Sequence, residues 1–199
     1  LLRLPGFRRA LPLLALSVAG FSGLLFSLAL AFQDGLHYTP LVSGLTIVPY
    51  AVSFFTATLA APRLTSRHGS RVVTAGSLLL AAGLAVVVGT VLTGWESLHP
   101  LALLPSLAVG GFGQGLVNSV LSRLVLAGVS TDQAGVGGGV MTTAVQAAMA
   151  LGVALLGTLY LTLVPRTGAD VALATTLAAQ LAAVLLTAGC SLRLPRRAA

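Results

Sequence analysis

The sequence predicts an all-α polytopic membrane protein with six transmembrane helices, and three observations carry that expectation. Of its 199 residues, 56% are hydrophobic and 8% charged, with a mean hydropathy of +1.00. Soluble domains carry about 25% charged residues, so this chain lacks the polar surface to cover a soluble fold. Six apolar runs have spanning length: 10–32, 41–62, 72–95, 101–122, 136–161 and 171–192. At ~1.5 Å per residue, about 22 residues reach ~33 Å, enough for a hydrocarbon core of ~30 Å. The runs are rich in Leu, Ala, Val and Gly without strict alternation, which favours helices over barrel strands.

Each span has its own signals. The first follows Arg8 and Arg9 and ends at Gln33. A cleaved signal peptide is the competing reading, but the apolar run is longer than the 7–15 residues of a signal h-region, so it is kept as a span. Thr39-Pro40 opens the second span as an N-cap with proline at the first helical position. Pro49, in mid-span, removes a backbone donor and predicts a kink whose freed carbonyl can face a cavity. Between the second and third spans lies "RLTSRHGSR", residues 63–71, read as a loop; it holds three of the eleven arginines in a chain without lysine. The fourth span contains "GGFGQG", which is not G-x-G-x-x-G, follows no strand, and is discarded as a nucleotide site. Ser130-Thr131-Asp132-Gln133 has the form of a capping box before the fifth and longest span, making Asp132 a helix-start residue. The sixth holds the lone Cys190, which excludes an intrachain disulfide and reads as a small buried hydrophobe.

A net charge of +7 invites a nucleic-acid reading. The arginines, however, sit singly or in small clusters at the ends of apolar runs rather than as a stripe on a solvated domain. They fit a topology instead. With both termini in the cytoplasm, the inner segments hold Arg3, Arg8, Arg9, Arg63, Arg67, Arg71, Arg123, Arg193, Arg196 and Arg197, and the outer loops only Arg166. That imbalance is the positive-inside pattern.

No Asp, Glu, Lys or His falls well inside a span, and Arg123 at the end of the fourth reads as a snorkelling anchor. His37 and His99 are expected on one side and His68 on the other, so they share no site and an enzyme is not expected. Uncharged amides remain. Gln114 and Asn118, four apart, share one face of the fourth helix, Gln146 lies in the fifth, and Gln33 closes the first. These four are the substrate-cavity candidates, with interhelical hydrogen bonding as the competing role; Gln180 in the sixth is assigned to helix packing. Small residues at Gly111 and Gly115, at Gly135 and Gly139, and along Ala144, Ala148 and Gly152 are spaced for close helix contact.

Six spans with a basic segment after the second resemble the carboxyl-terminal half of a major facilitator superfamily transporter. That family's motif G-x-L-x-D-R-x-G-R-[RK] is matched at Leu64, Arg67, Gly69 and Arg71, while Pro62, Ser66 and Ser70 replace the glycine, the aspartate and one basic residue. The stretches "FQDGLHYTPLVSGLTIVP" (32–49), "GGFGQGLVNS" (110–119) and "STDQAGVGGGV" (130–140) are similar, in that order, to segments of the fourteen-span drug:proton antiporter branch.

The resemblance implies secondary active efflux of drugs or small hydrophobic metabolites by alternating access, driven by the proton gradient with no cofactor. It implies a multi-pass protein of the plasma (inner) membrane whose partners are the lipid bilayer, an amino-terminal half of six to eight helices, and a small-molecule substrate, with no nucleic acid. Coupling carboxylates would belong to that other half, and the chain, starting at "LLRLPGFRR", is expected to be one bundle of a longer pump. Arg67, Gly69 and Arg71 would form a gating and topology loop, weakened by Ser66 at the aspartate position. A transporter of another substrate class, or a stand-alone non-catalytic six-helix membrane protein, are the alternatives.

Overall fold

The computed structural model describes residues 5–192. Arg3, Arg193, Arg196 and Arg197, which contribute to the charge count above, lie outside the described residues. Among the described residues, six helices are long and apolar enough to cross a membrane. They are α1 (Pro5–Leu30), α2 (Pro40–His68), α3 (Arg71–Gly94), α4 (Pro100–Leu126), α5 (Ala134–Thr167) and α6 (Ala169–Ser191). Together they form one all-helical bundle. One π-turn, Ala31–Gly35, extends α1 and carries Gln33.

Helix ends differ from the hydropathy limits for a simple reason. An apolar run records which side chains favour lipid, whereas a helix continues until the backbone is stopped. The stretch 63–71, expected as a loop, is therefore mostly the last two turns of α2, and only Gly69 and Ser70 separate it from α3. Gly69 closes α2 at φ 60°, its N–H donating to Thr65 O at 2.8 Å. Gly168 does the same for α5 at φ 88°, so Arg166 lies in the last turn of that helix rather than in a loop. At the start of α2 the expected cap is present, with Thr39 Oγ1 accepting from Val42 N and Pro40 at the first position. The capping box at Ser130 does not form. The Ser130 side chain makes no capping bond, and residues Thr131–Gln133 make a short 3-10 turn ahead of α5.

Glycine sets which helices touch. On α4, Gly111 and Gly115 face α2, where an added Cβ would overlap the backbone of Tyr50 and Phe54. Gly113, on another face, is equally tight against Gly76 and Leu80 of α3. The run "GGFGQG" thus lets α4 lie between α2 and α3 at backbone contact. Gly152 of α5 meets Ala19 of α1 in the same way, with Gly23 beside it. Gly135 and Gly139, expected to pack, face open space instead. The cause is the face: Gly137 is buried and Met141 packs on the core, so Gly135 and Gly139, two residues before each, point away from the bundle. Cys190, expected buried, is exposed on α6.

α2 packs on α4, α5 on α1, and α6 behind α1 and α3. Only 22% of the most apolar stretch of α2 and of α5 is covered by this chain, against 50–56% for the other four helices. Two apolar cores result. One, around Phe32, Leu84, Leu103 and Leu173, lies toward the His99 end. The other, around Phe7, Leu14, Val73 and Leu121, lies toward the Arg71 end.

Candidate functional site

Polar side chains collect where the two cores meet. Ser17 of α1, Ser77 of α3, Gln114 and Asn118 of α4, and Gln180 of α6 all come from that level. Gln114 Nε2 donates to Ser17 Oγ at 2.9 Å, to Ser17 O at 3.1 Å and to Asn118 Oδ1 at 3.0 Å. Ser17 Oγ in turn donates to Asn118 Oδ1 at 2.9 Å. The cluster joins α1 to α4 and satisfies most of its members. Gln114 Oε1 has no partner among the described residues, and Gln114 is fully buried. Asn118 is half-buried, so it is the member of the pair that a ligand could reach without displacing protein.

On the other side of Ser17, a cavity of about 10 Å³ is lined by Gly20, Ser77, Gln180 and Thr187 among others. Neither amide atom of Gln180, nor Ser77 Oγ, has a hydrogen-bond partner among the described residues. Groups left in that state inside an apolar bundle cost roughly 1–3 kcal/mol each.

An aromatic wall lies next to the amides. Phe21, one turn beyond Ser17 on α1, stacks on Tyr50 and on Phe54 of α2 with ring centroids 6.0 Å and 5.8 Å apart. Gly111, Gly115 and Asn118 fall on one face of α4, and that face meets the same two α2 residues. Phe21 and Phe54 are only half-buried. Half-exposed rings beside an amide make a surface for aromatic or weakly polar molecules, binding by area with one or two orienting hydrogen bonds.

The remaining candidates are not brought to this place. Gln33 is exposed in the π-turn, about 24 Å along α1 from Ser17 at ~1.5 Å per residue. Gln146 is exposed on α5, one turn from Met149, whose carbonyl accepts from Ser22 Oγ at 2.8 Å. It is thus near the level of the polar layer but on the face of α5 that this chain leaves uncovered. Pro49 sits inside a continuous α2, one residue before Tyr50. Arg67 and Arg71 flank the Gly69–Ser70 turn and are exposed. Sequence reasoning missed Ser17, Phe21, Tyr50 and Phe54. The available signal was the four-residue spacing of Ser17 and Phe21, and of Tyr50 and Phe54.

At the opposite end, Tyr38 closes the loops. Its hydroxyl donates to Leu98 O and its ring lies against Phe32. Burial raises its pKa above the ordinary 10.0, so the phenol remains a donor at neutral pH. Among the described residues, no three of His, Cys, Asp and Glu come together.

No family model matches the chain. Individual proteins do. A Streptomyces coelicolor protein named "Probable actinorhodin transporter" is 34% identical over 167 residues, 80% of this chain and 28% of its own length. The puromycin resistance protein pur8 of Streptomyces alboniger is 30% identical over 70% of the chain and 28% of itself. The multidrug efflux pump LfrA of Mycolicibacterium smegmatis is 27% identical over 73% and 28% respectively. The chain therefore spans less than a third of the length of these relatives. Six apolar helices in one bundle, matched along most of the chain to drug-efflux proteins, make it a homologue of part of the drug-efflux transporters of the major facilitator superfamily.

Proposed function

We propose that this chain is the carboxyl-terminal six-helix half of a fourteen-span exporter in the plasma (inner) membrane. The pump would move drugs or small hydrophobic metabolites outward in exchange for protons, by alternating access, with both termini of this half cytoplasmic. The observation that carries the reading is the match over 80% of the chain to a relative named as a transporter, joined by relatives named for drug resistance and efflux. The uncovered apolar faces of α2 and α5 fit a bundle whose second half packs there. No carboxylate lies well inside a span, the four acids sitting at span ends, so proton coupling would rest with residues of the other half.

Within this half, Asn118, Phe21 and Phe54 form the substrate wall. Gln114 holds it in place, while Gln33 and Gln146 face outward to sites that only the complete pump would form. In the full-length protein, Asn118→Ala and Phe21→Ala should change the resistance spectrum, lowering export of some compounds about tenfold while sparing others, a loss of ~1.4 kcal/mol in transition-state binding. Uniform loss across all compounds at normal membrane abundance would refute the assignment. Export that persists after the proton gradient is collapsed would refute the coupling.

A further inference from the structure

A second concavity lies away from the polar layer. It encloses about 360 Å³ at the Arg71 end of α2, α3 and α4, and its walls include Leu64, Val72, Leu79, Phe112 and Leu116, with His68 and Arg71 also lining it. Phe112 and Leu116 alternate with Gln114 and Asn118 at two-residue steps, so they occupy the opposite face of α4. The volume falls in the range of small-molecule sites, yet the chemistry is one-sided: an apolar trough with its cation at one end.

Charge is distributed the same way over the whole bundle. The helix order puts Arg8, Arg9, Arg63, Arg67, Arg71 and Arg123 at this end, with Asp132 as the one acid among the described residues. The far end holds Arg166 together with Asp34, Glu96 and Asp170. An amphiphile with an apolar tail and an anionic head is the ligand complementary to both features. A soluble anion would use only the rim.

We propose that this groove binds an anionic glycerophospholipid, with an acyl chain against Leu79, Phe112 and Leu116 and the phosphate held at Arg71 beside His68. A guanidinium suits that phosphate because it is always charged and offers a planar fork of donors. The site would tie a single lipid to the α2–α3 turn, and it is independent of the transport reading.

The test uses the whole chain in lipid nanodiscs. Trp95, the single tryptophan, is changed to Phe and Phe112 to Trp, which places one fluorophore in the groove. Quenching is then compared between phosphatidylglycerol and phosphatidylcholine carrying the same brominated acyl chains. Phosphatidylglycerol should associate about fivefold more strongly, the scale expected for one basic residue acting on an anionic headgroup. The preference should vanish in the double variant Arg71→Gln, His68→Gln, both exposed positions where folding should tolerate change. It should survive Arg123→Gln, which removes a cation from the same end outside the groove. Ala75→Phe, at an exposed wall position, should reduce quenching by both lipids with the charges intact. Equal quenching by the two headgroups would overturn the proposal, as would equal effects of Arg123→Gln and Arg71→Gln. Absence of quenching by either lipid would mean that protein covers the groove, and would also overturn it.

Discussion

Two glutamines of the polar layer differ in what their amides meet. Gln114 donates to Ser17 and Asn118, whereas both amide atoms of Gln180 lack partners among the described residues. Interhelical hydrogen bonds in membranes average ~0.6 kcal/mol and reach ~1.7 kcal/mol. Gln114→Leu, which removes its donated bonds to Ser17 and Asn118 at once, should therefore lower stability by about 1–2 kcal/mol. Gln180→Leu removes an unmet polar group and should be neutral or stabilising. Reversible unfolding in mixed micelles measures both, and an equal loss at Gln180 would show that its amide is bonded in the membrane. The Gln114–Asn118 pair was readable because amides are rare in apolar spans and four-residue spacing puts them on one face. Ser17 was not, because Ser17, Ser22 and Ser27 look alike in sequence and only the crossing of α1 on α4 selects one of them.

Helix by helix, small residues predict contact only where a partner arrives. An added Cβ at Gly111 would overlap Tyr50 backbone, and overpacking of that kind costs roughly 1–3 kcal/mol. Gly139 has nothing within 4 Å, so alanine there should stabilise slightly through its better helix propensity, by at most ~1 kcal/mol. Thermal unfolding of Gly111→Ala and Gly139→Ala in this chain should separate them clearly; a similar loss in both would contradict the packing described. The sequence could mark Gly135 and Gly139 as a small-residue stripe, but not that α5 turns this face away from its partners. Helix existence was legible from hydropathy, since lipid demands apolar length. Helix ends were not, because α2 continues six residues past the apolar run, through Arg63 and Arg67, until Gly69 stops it.

For the molecule as a whole, low charge, six runs of spanning length and the lack of strict alternation together were enough to predict an all-helical membrane bundle. This chain leaves the outer faces of α2 and α5 uncovered; in the proposed reading the other half packs there, and no residue of this chain could reveal it. Orientation is open to direct measurement. Ser70 is buried and would resist a thiol reagent from either side, so the informative probes are Ser66→Cys and Glu96→Cys, both exposed, in a Cys190→Ser background. An impermeant maleimide should label residue 96 in intact cells and residue 66 only after permeabilisation; the reverse pattern would invert the topology.

The pairing of α1 with α5 also governs how the protein is made. Ser22 and Met149, which bond across that contact, are 127 residues apart in the chain. At about 5–20 residues per second, the ribosome needs roughly 6 to 25 s to deliver the second helix after the first. During that interval Ala19 and Gly23 lie in lipid with their close-contact face unmatched. The first helix must therefore wait in the bilayer, unaggregated, for a partner synthesised four helices later, and variants that enlarge its small residues should harm insertion yield before they harm the finished bundle.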